Sequence, residues 1–94
     1  MWVRIREVSF LVEKTDEVIA QVRDTAVARF EGESHRGFRL LIDRPNGRAL
    51  EVSYWETEEG ARAGPSDGTA RVASAVPGWT VLRTEHYELA IEGA

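Results

Sequence analysis

The chain opens on an alternation. In Trp2-Val3-Arg4-Ile5-Arg6, apolar Val3 and Ile5 are interleaved with two arginines, the period of two expected of a strand. From Val8 the apolar parity changes, because Val8, Phe10 and Val12 occupy even positions. A strand over residues 2–12 with a bulge near Glu7 accounts for the switch. At Lys14-Thr15-Asp16-Glu17 the period becomes helical. Thr15 is a capping residue type, and the two acids suit the positive end of a helix. Val18, Ile19, Val22, Ala26, Val27 and Phe30 then form one apolar stripe, with Glu17, Gln21, Asp24 and Arg29 outside it. Gly32 is placed to end the helix.

Gly37 to Asp43 predicts a second strand and Ala49 to Glu56 a third. Pro45-Asn46-Gly47 joins them, and Asn and Gly both tolerate the left-handed backbone of a tight turn. So short a loop requires an antiparallel hairpin. Thr57-Glu58-Glu59 repeats the cap-plus-acid pattern and starts a second helix. Gly60, Gly64, Pro65 and Gly68 interrupt it, so one or two short pieces are expected, over Glu58–Ala63 and Gly68–Ala75, with a break at Gly64-Pro65. Pro77-Gly78 punctuates the chain before a last strand from about Thr80 to Ile91. The order β-α-β-β-α-β, joined by right-handed crossovers, gives an α+β, ferredoxin-like arrangement. A four-stranded antiparallel sheet carries both helices on one face.

Two helices cover only one face of such a sheet, and the other should read as polar if it meets water. It does not. Leu50, Val52 and Tyr54 oppose Ala49, Ser53 and Trp55; Phe38, Leu40 and Ile42 oppose Arg39 and Leu41. In the last strand Val81, Tyr87, Leu89 and Ile91 are expected on one face, with Leu82, His86 and Ala90 on the other. Both faces carry bulky apolar groups, so something must cover the second. A second copy is the simplest cover, since most oligomers are symmetric dimers.

Composition changes this picture by exclusion. At 94 residues the chain is a single domain, 1–94, with a thin core. It has no cysteine, which removes disulfides, thiolate metal sites and a cysteine nucleophile. Net charge is −4 with no basic run, which argues against nucleic-acid binding. The cations are arginines except for Lys14, but they are scattered, which reads as coding preference rather than an anion site. No apolar run is long enough to span a membrane, and the N-terminus lacks the apolar core of a signal peptide, so a cytoplasmic protein without membrane partners is expected.

With these residues in view, the chain resembles the dimeric α+β barrel proteins related to antibiotic biosynthesis monooxygenases. The resemblance covers nearly the whole length. It is carried by Met1-Trp2-Val3-Arg4, Gly37-Phe38-Arg39 through Leu41-Ile42-Asp43-Arg44, Asn46-Gly47, Val52 through Glu59 (VSYWETEE) and Glu85-His86-Tyr87-Glu88-Leu89-Ala90. It implies two sheets packed face to face as a homodimer and a pocket between sheet and helices in each subunit. Two departures stand out. The heme-degrading branch uses an Asn in the first strand and a Trp and a His in the second helical region. Here Glu7 lies near the first position and residues 57–76 contain neither Trp nor His, which speaks against heme degradation. The second helix of such relatives is longer, where this chain has the Gly/Pro-broken ARAGPSDGTA.

The resemblance further implies cofactor-independent monooxygenation of a small, electron-rich aromatic metabolite. Such a site needs a base, a ring-binding wall and a group to hold an anion. His86 is the catalytic candidate, since its ordinary pKa suits proton transfer near neutrality. Trp55, Tyr54 and Trp2 are the ring-binding candidates, and Arg4 or Arg39 the anion-holding ones. Each also has an ordinary structural role, the aromatics in packing and the arginines in surface or interface ion pairs. No metal is expected: His86 and Glu88 share a face and His35 lies in a loop, but no ligand spacing links them. There is no phosphate-binding Gly-rich loop and no serine elbow. The alternative function is a non-catalytic dimeric module that binds a ligand or serves as structure. The broken second helix favours that alternative.

Overall fold

A computed structural model of the chain describes residues 1–29, 34–63 and 76–93, the side chains of 25–29 excepted. Strand β1 (Trp2–Ser9), helix α1 (Thr15–Arg29), strands β2 (His35–Asp43) and β3 (Arg48–Trp55), helix α2 (Glu58–Ala63) and strand β4 (Thr80–Glu88) follow in the β-α-β-β-α-β order. The strands make one antiparallel sheet, ordered β2-β3-β1-β4. This is the ferredoxin-like α+β arrangement.

Pairing register assigns every strand residue to a face, because directly opposed residues point the same way. On the helix-covered face four rows cross the sheet from β2 to β4. They are His35–Trp55–Trp2–Glu88, Phe38–Ser53–Arg4–His86, Leu40–Glu51–Arg6–Thr84 and Ile42–Ala49–Val8–Val81. The last row is the core. Val8 and Ala49 pack with Phe10, with Val18 and Val22 of α1 and with Val76, while Phe38, Leu40, Ile42 and Trp79 close round them. Ala61 of α2 is also buried.

The hairpin turn depends on Gly47. Its φ is +61°, and a Cβ there would stand 2.4 Å from the Phe10 carbonyl oxygen. The close approach lets the Phe10 N–H donate to the Gly47 carbonyl at 2.9 Å, which ties the end of β1 to the turn. Asn46 has no positive φ; its side-chain amide donates to Asp43 Oδ2 at 2.9 Å.

Four expectations need correcting. First, β1 pairs with β3 without interruption. The register shift near Glu7 is in the pairing with β4, where Leu82 is the extra residue. Val81 therefore points to the same side as His86, not that of Tyr87. The parity switch in β1 has another cause: its apolar residues lie on the open face at Val3 and Ile5 and on the helix face at Val8. Second, Thr15 does not cap α1 with its side chain. A 3-10 turn, Val12–Lys14, runs into the helix, so Thr15 is already helical and its hydroxyl donates back to the Val12 carbonyl at 2.6 Å. Third, β2 starts at His35 rather than Gly37. Gly37, at φ +126°, absorbs an irregularity there, and His35 is a buried strand residue rather than a loop residue. Fourth, β4 stops at Glu88; beyond it only the Leu89 N–H continues the ladder, to the Met1 carbonyl, and Ile91 is exposed.

Helix α2 has the expected limits. Thr57 caps it, its hydroxyl accepting the Gly60 N–H at 3.0 Å. Glu58–Arg62 is an i,i+4 pair on its surface. The expected C-terminal cap at Gly32, the break at Gly64-Pro65 and the piece Gly68–Ala75 lie outside the described residues. No helix is long and apolar enough to cross a membrane among the described residues.

Candidate functional site

The helix-covered face changes character along the strands. One end is the valine-rich core. The other, one to three rows further along the sheet, gathers Arg4, His35, Glu51, Ser53 and Trp55, all buried. Arg6 and His86 join them in the same rows, half-buried.

Trp55, at the end of β3, organises this polar end. Its indole N–H donates to Ser53 Oγ at 2.8 Å, and Ser53 Oγ reaches the Arg4 carbonyl at 3.4 Å. The Arg4 guanidinium carbon lies 4.9 Å from the Trp55 ring centroid, within cation–π range. His35 meets the same ring edge-on, centroids 4.7 Å apart and planes at 75°. One indole therefore holds a cation, an imidazole and a hydroxyl in one layer.

His86 stands one row away, in line with Arg4. Across the sheet from Arg4, its ring faces the Ala61 backbone of α2. Its Nε2 is buried and has no hydrogen-bond partner among the described residues. An unpartnered ring nitrogen of a neutral imidazole can accept a proton. Burial holds the His86 pKa below its ordinary value. The positive charges of Arg62, Arg4 and Arg6 push the same way, and the Ala61 backbone opposes them. The imidazole is thus neutral at pH 7.

Helix α2 delivers the Ala61 backbone, and its position is fixed at its N-terminus. The Ser34 and Thr57 hydroxyls meet at 3.3 Å, and the Glu56 N–H donates to the Ser34 carbonyl at 2.9 Å. A Cβ on Gly60 would fall 2.1 Å from Ser34 Oγ, so glycine lets the helix come this close.

Of the residues singled out from sequence, His86, Trp55, Arg4 and Trp2 share the helix-covered face. Trp2 is opposite Trp55, and Arg4 is opposite His86. Tyr54 and Arg39 are on the open face, so neither lines a site with the other four. His35, Arg6, Glu51 and Ser53 were not singled out as site residues. Their signal was available in the hairpin parity: Ser53 shares its face with Trp55, and Glu51 is one step further along it. No group of three or more metal-binding side chains comes together among the described residues.

No protein-family model matches the chain, and no curated protein does either. Solved structures do. The heme-degrading protein MhuD from Mycobacterium tuberculosis, with two hemes bound in its active site, superposes at a TM-score of 0.70 with 22% identity, covering 100% of both chains. An arginine-to-serine variant of MhuD, with two manganese protoporphyrins bound per active site, gives 0.79 at 21% identity, covering 100% of this chain and 99% of that one. A candidate antibiotic biosynthesis monooxygenase from Nitrosomonas europaea gives 0.74 at 16% identity, covering 97% and 100%. At these identities the likeness establishes the fold, which is that of the antibiotic biosynthesis monooxygenase-like proteins.

Proposed function

We propose that the polar end of the sheet–helix layer binds a small aromatic metabolite. We further propose that the chain oxidises it as a cofactor-independent monooxygenase, acting as a cytosolic homodimer. The observation that carries the reading is His86: an imidazole opposite the buried Arg4, its Nε2 buried without a partner among the described residues and its pKa held below the ordinary value first by burial. This is what a general base needs, in the layer that also holds Trp55 and a buried arginine. A shared fold with monooxygenase-like proteins and with a heme-binding protein supports a ligand-binding role.

In this mechanism His86 Nε2 removes a proton from an electron-rich phenolic or anthrone-like ring. Arg4, held over Trp55, stabilises the resulting anion electrostatically. The anion reduces O2. One oxygen atom stays on the ring as a carbonyl, and the other leaves as water with two substrate hydrogens, both from the CH2 of an anthrone or one each from the ring C–H and the hydroxyl of a phenol.

The dimer part of the reading rests on the open face, where Ile5, Leu50, Val52 and Tyr54 are half-exposed beside the buried Val3. A second copy of the same face covers it without requiring any other partner.

Oxygen uptake with anthrone-type substrates tests the enzyme. His86→Ala should abolish most of the turnover, and the wild-type rate should persist at about pH 6.5, the ordinary histidine value, and fall only below it, because burial holds the folded pKa lower. Unchanged turnover in His86→Ala would remove His86 from the chemistry. Substrate binding without oxygen uptake in the wild type would leave the non-catalytic module as the function.

A further inference from the structure

The open face is not apolar throughout. Its rows, again from β2 to β4, are Gly37–Tyr54–Val3–Tyr87, Arg39–Val52–Ile5–Glu85, Leu41–Leu50–Glu7–Arg83 and Asp43–Arg48–Ser9–Thr80. An ionic network crosses the last three. Glu7 Oε1 accepts from Arg48 at 3.0 Å and Oε2 from Arg83 at 2.6 Å. Arg83 also reaches Glu85 Oε1 at 3.2 Å, and the Tyr87 hydroxyl donates to Glu85 Oε2. Arg83 Nε stands between the two carboxylates, and two arginines balance two glutamates. Glu7, at the centre, is 18% exposed, whereas the arginines are 55% and 60% exposed.

We infer that this network lies inside the contact between two copies of the chain and fixes their mutual orientation, with Glu7 as its keystone. The inference rests on the proposed dimer and adds to it what sets its geometry. Apolar contact is non-directional, so the rows around Ile5 and Val52 alone would let two sheets slide. A directional polar group in an otherwise apolar interface is a known way to fix register. Burying a charge needs a partner of opposite sign, and here each carboxylate already has one. The neutrality also favours a second copy over other occupants: a strongly charged partner meets no net field at this network. The arginines keep outward N–H donors, which need acceptors in any contact. A two-fold pairing brings the same face across, with Asp43, Glu85 and the tyrosine hydroxyls on it.

Sedimentation equilibrium of the full chain tests this with four variants. Val52→Glu, in the middle of the apolar rows, should give monomers. Glu7→Gln leaves one positive charge uncompensated in the contact, since Arg83 keeps Glu85 and Arg48 loses its partner, and should weaken the dimer roughly a hundredfold. Arg83→Ala should weaken it about tenfold, and since Arg83 is largely exposed on an edge strand the monomer should keep its circular dichroism spectrum. Arg44→Ala, which breaks an exposed pair with Asp16, should change nothing. If Glu7→Gln and Arg83→Ala dimerise like the wild type while Val52→Glu does not, the network lies outside the contact. The inference then fails while the dimer stands. A wild type that is monomeric at tens of micromolar, or a Val52→Glu protein that dimerises normally, overturns the open-face dimer and this inference together.

Discussion

Arg4 and Val8 lie on the same face of the same strand, and both are buried: Arg4 is 4% exposed and Val8 not at all. Their surroundings have almost nothing in common. Val8 meets Ala49 across the sheet and the valines of α1 beneath the helix. Arg4 lies over an indole, next to Ser53 and in line with a histidine. The valine end needs only shape and dispersion to hold, and it returns stability for every group it buries. The arginine end must satisfy charge and hydrogen bonds before it contributes anything, and replacing such groups with apolar ones is often neutral or stabilising. A small domain with a thin core would gain by extending the valine pattern over the whole face. That it does not is the physical reason for placing the site at the polar end.

The sharpest test of this contrast is Trp55, which belongs to both descriptions. It is a large buried aromatic, and it positions Arg4, His35 and Ser53. Trp55→Ala should cost about 3–5 kcal/mol in urea unfolding, the usual range for a buried aromatic. Trp55→Phe keeps most of the packing and loses the indole hydrogen bond to Ser53, so it should cost about 1 kcal/mol. Nearly equal losses would show that the polar contacts, rather than ring volume, hold this end together.

At the other end, Val8→Ala should cost about 2 kcal/mol, since the site is fully enclosed and the cavity cannot fill with water. The informative measurement is made alongside it. If the two ends are independent, the His86 titration followed by NMR should not move in Val8→Ala. A shift would mean that core packing sets the position of β4 against β1, and the division between the ends would break down.

Thr57→Ala should cost about 1 kcal/mol by uncapping α2. This helix belongs to the polar end, since it carries the Ala61 backbone that His86 faces. The stability loss should therefore come with a change in the His86 titration, in contrast to Val8→Ala.

The contrast also explains what could be read from sequence. The strand order, both helix starts and the hairpin followed from periodicity, because the valine end and the open face are ordinary apolar patterning. Periodicity misled where both faces are apolar. In β1 the move from Val3 and Ile5 to Val8 looked like a bulge but is a change of face; the extra residue is Leu82, one strand away. The site was legible only in part for the same reason. Trp55 and His86 stood out by residue type, but face assignment needs register, and without it Tyr54 and Arg39 looked equivalent to Arg4. His35 was hidden by the irregularity at Gly37, which separates it from the alternation of β2. Glu51 and Ser53 look like surface residues of a strand until α2 and β2 are placed around them.

His86 gives the smallest effect at neutral pH and the most specific one. Its pKa in the folded protein lies below 6.5, lowered first by burial and then by Arg62 and Arg4. Above 6.5 the imidazole is neutral whether the chain is folded or not, so it adds no pH dependence there. As pH falls through 6.5 the unfolded chain takes up the proton first, and the folded state loses stability until the pH passes below the folded pKa. His86→Gln should therefore match the wild type at pH 7.5 apart from small packing differences, and should lose less stability between pH 6.5 and 5. Identical acid limbs in wild type and variant would mean that His86 is solvated when folded, and would place it outside the polar end. A steeper limb in the wild type, flattened equally by Arg62→Gln and His86→Gln, would identify the arginines around the histidine as what keeps it a free base.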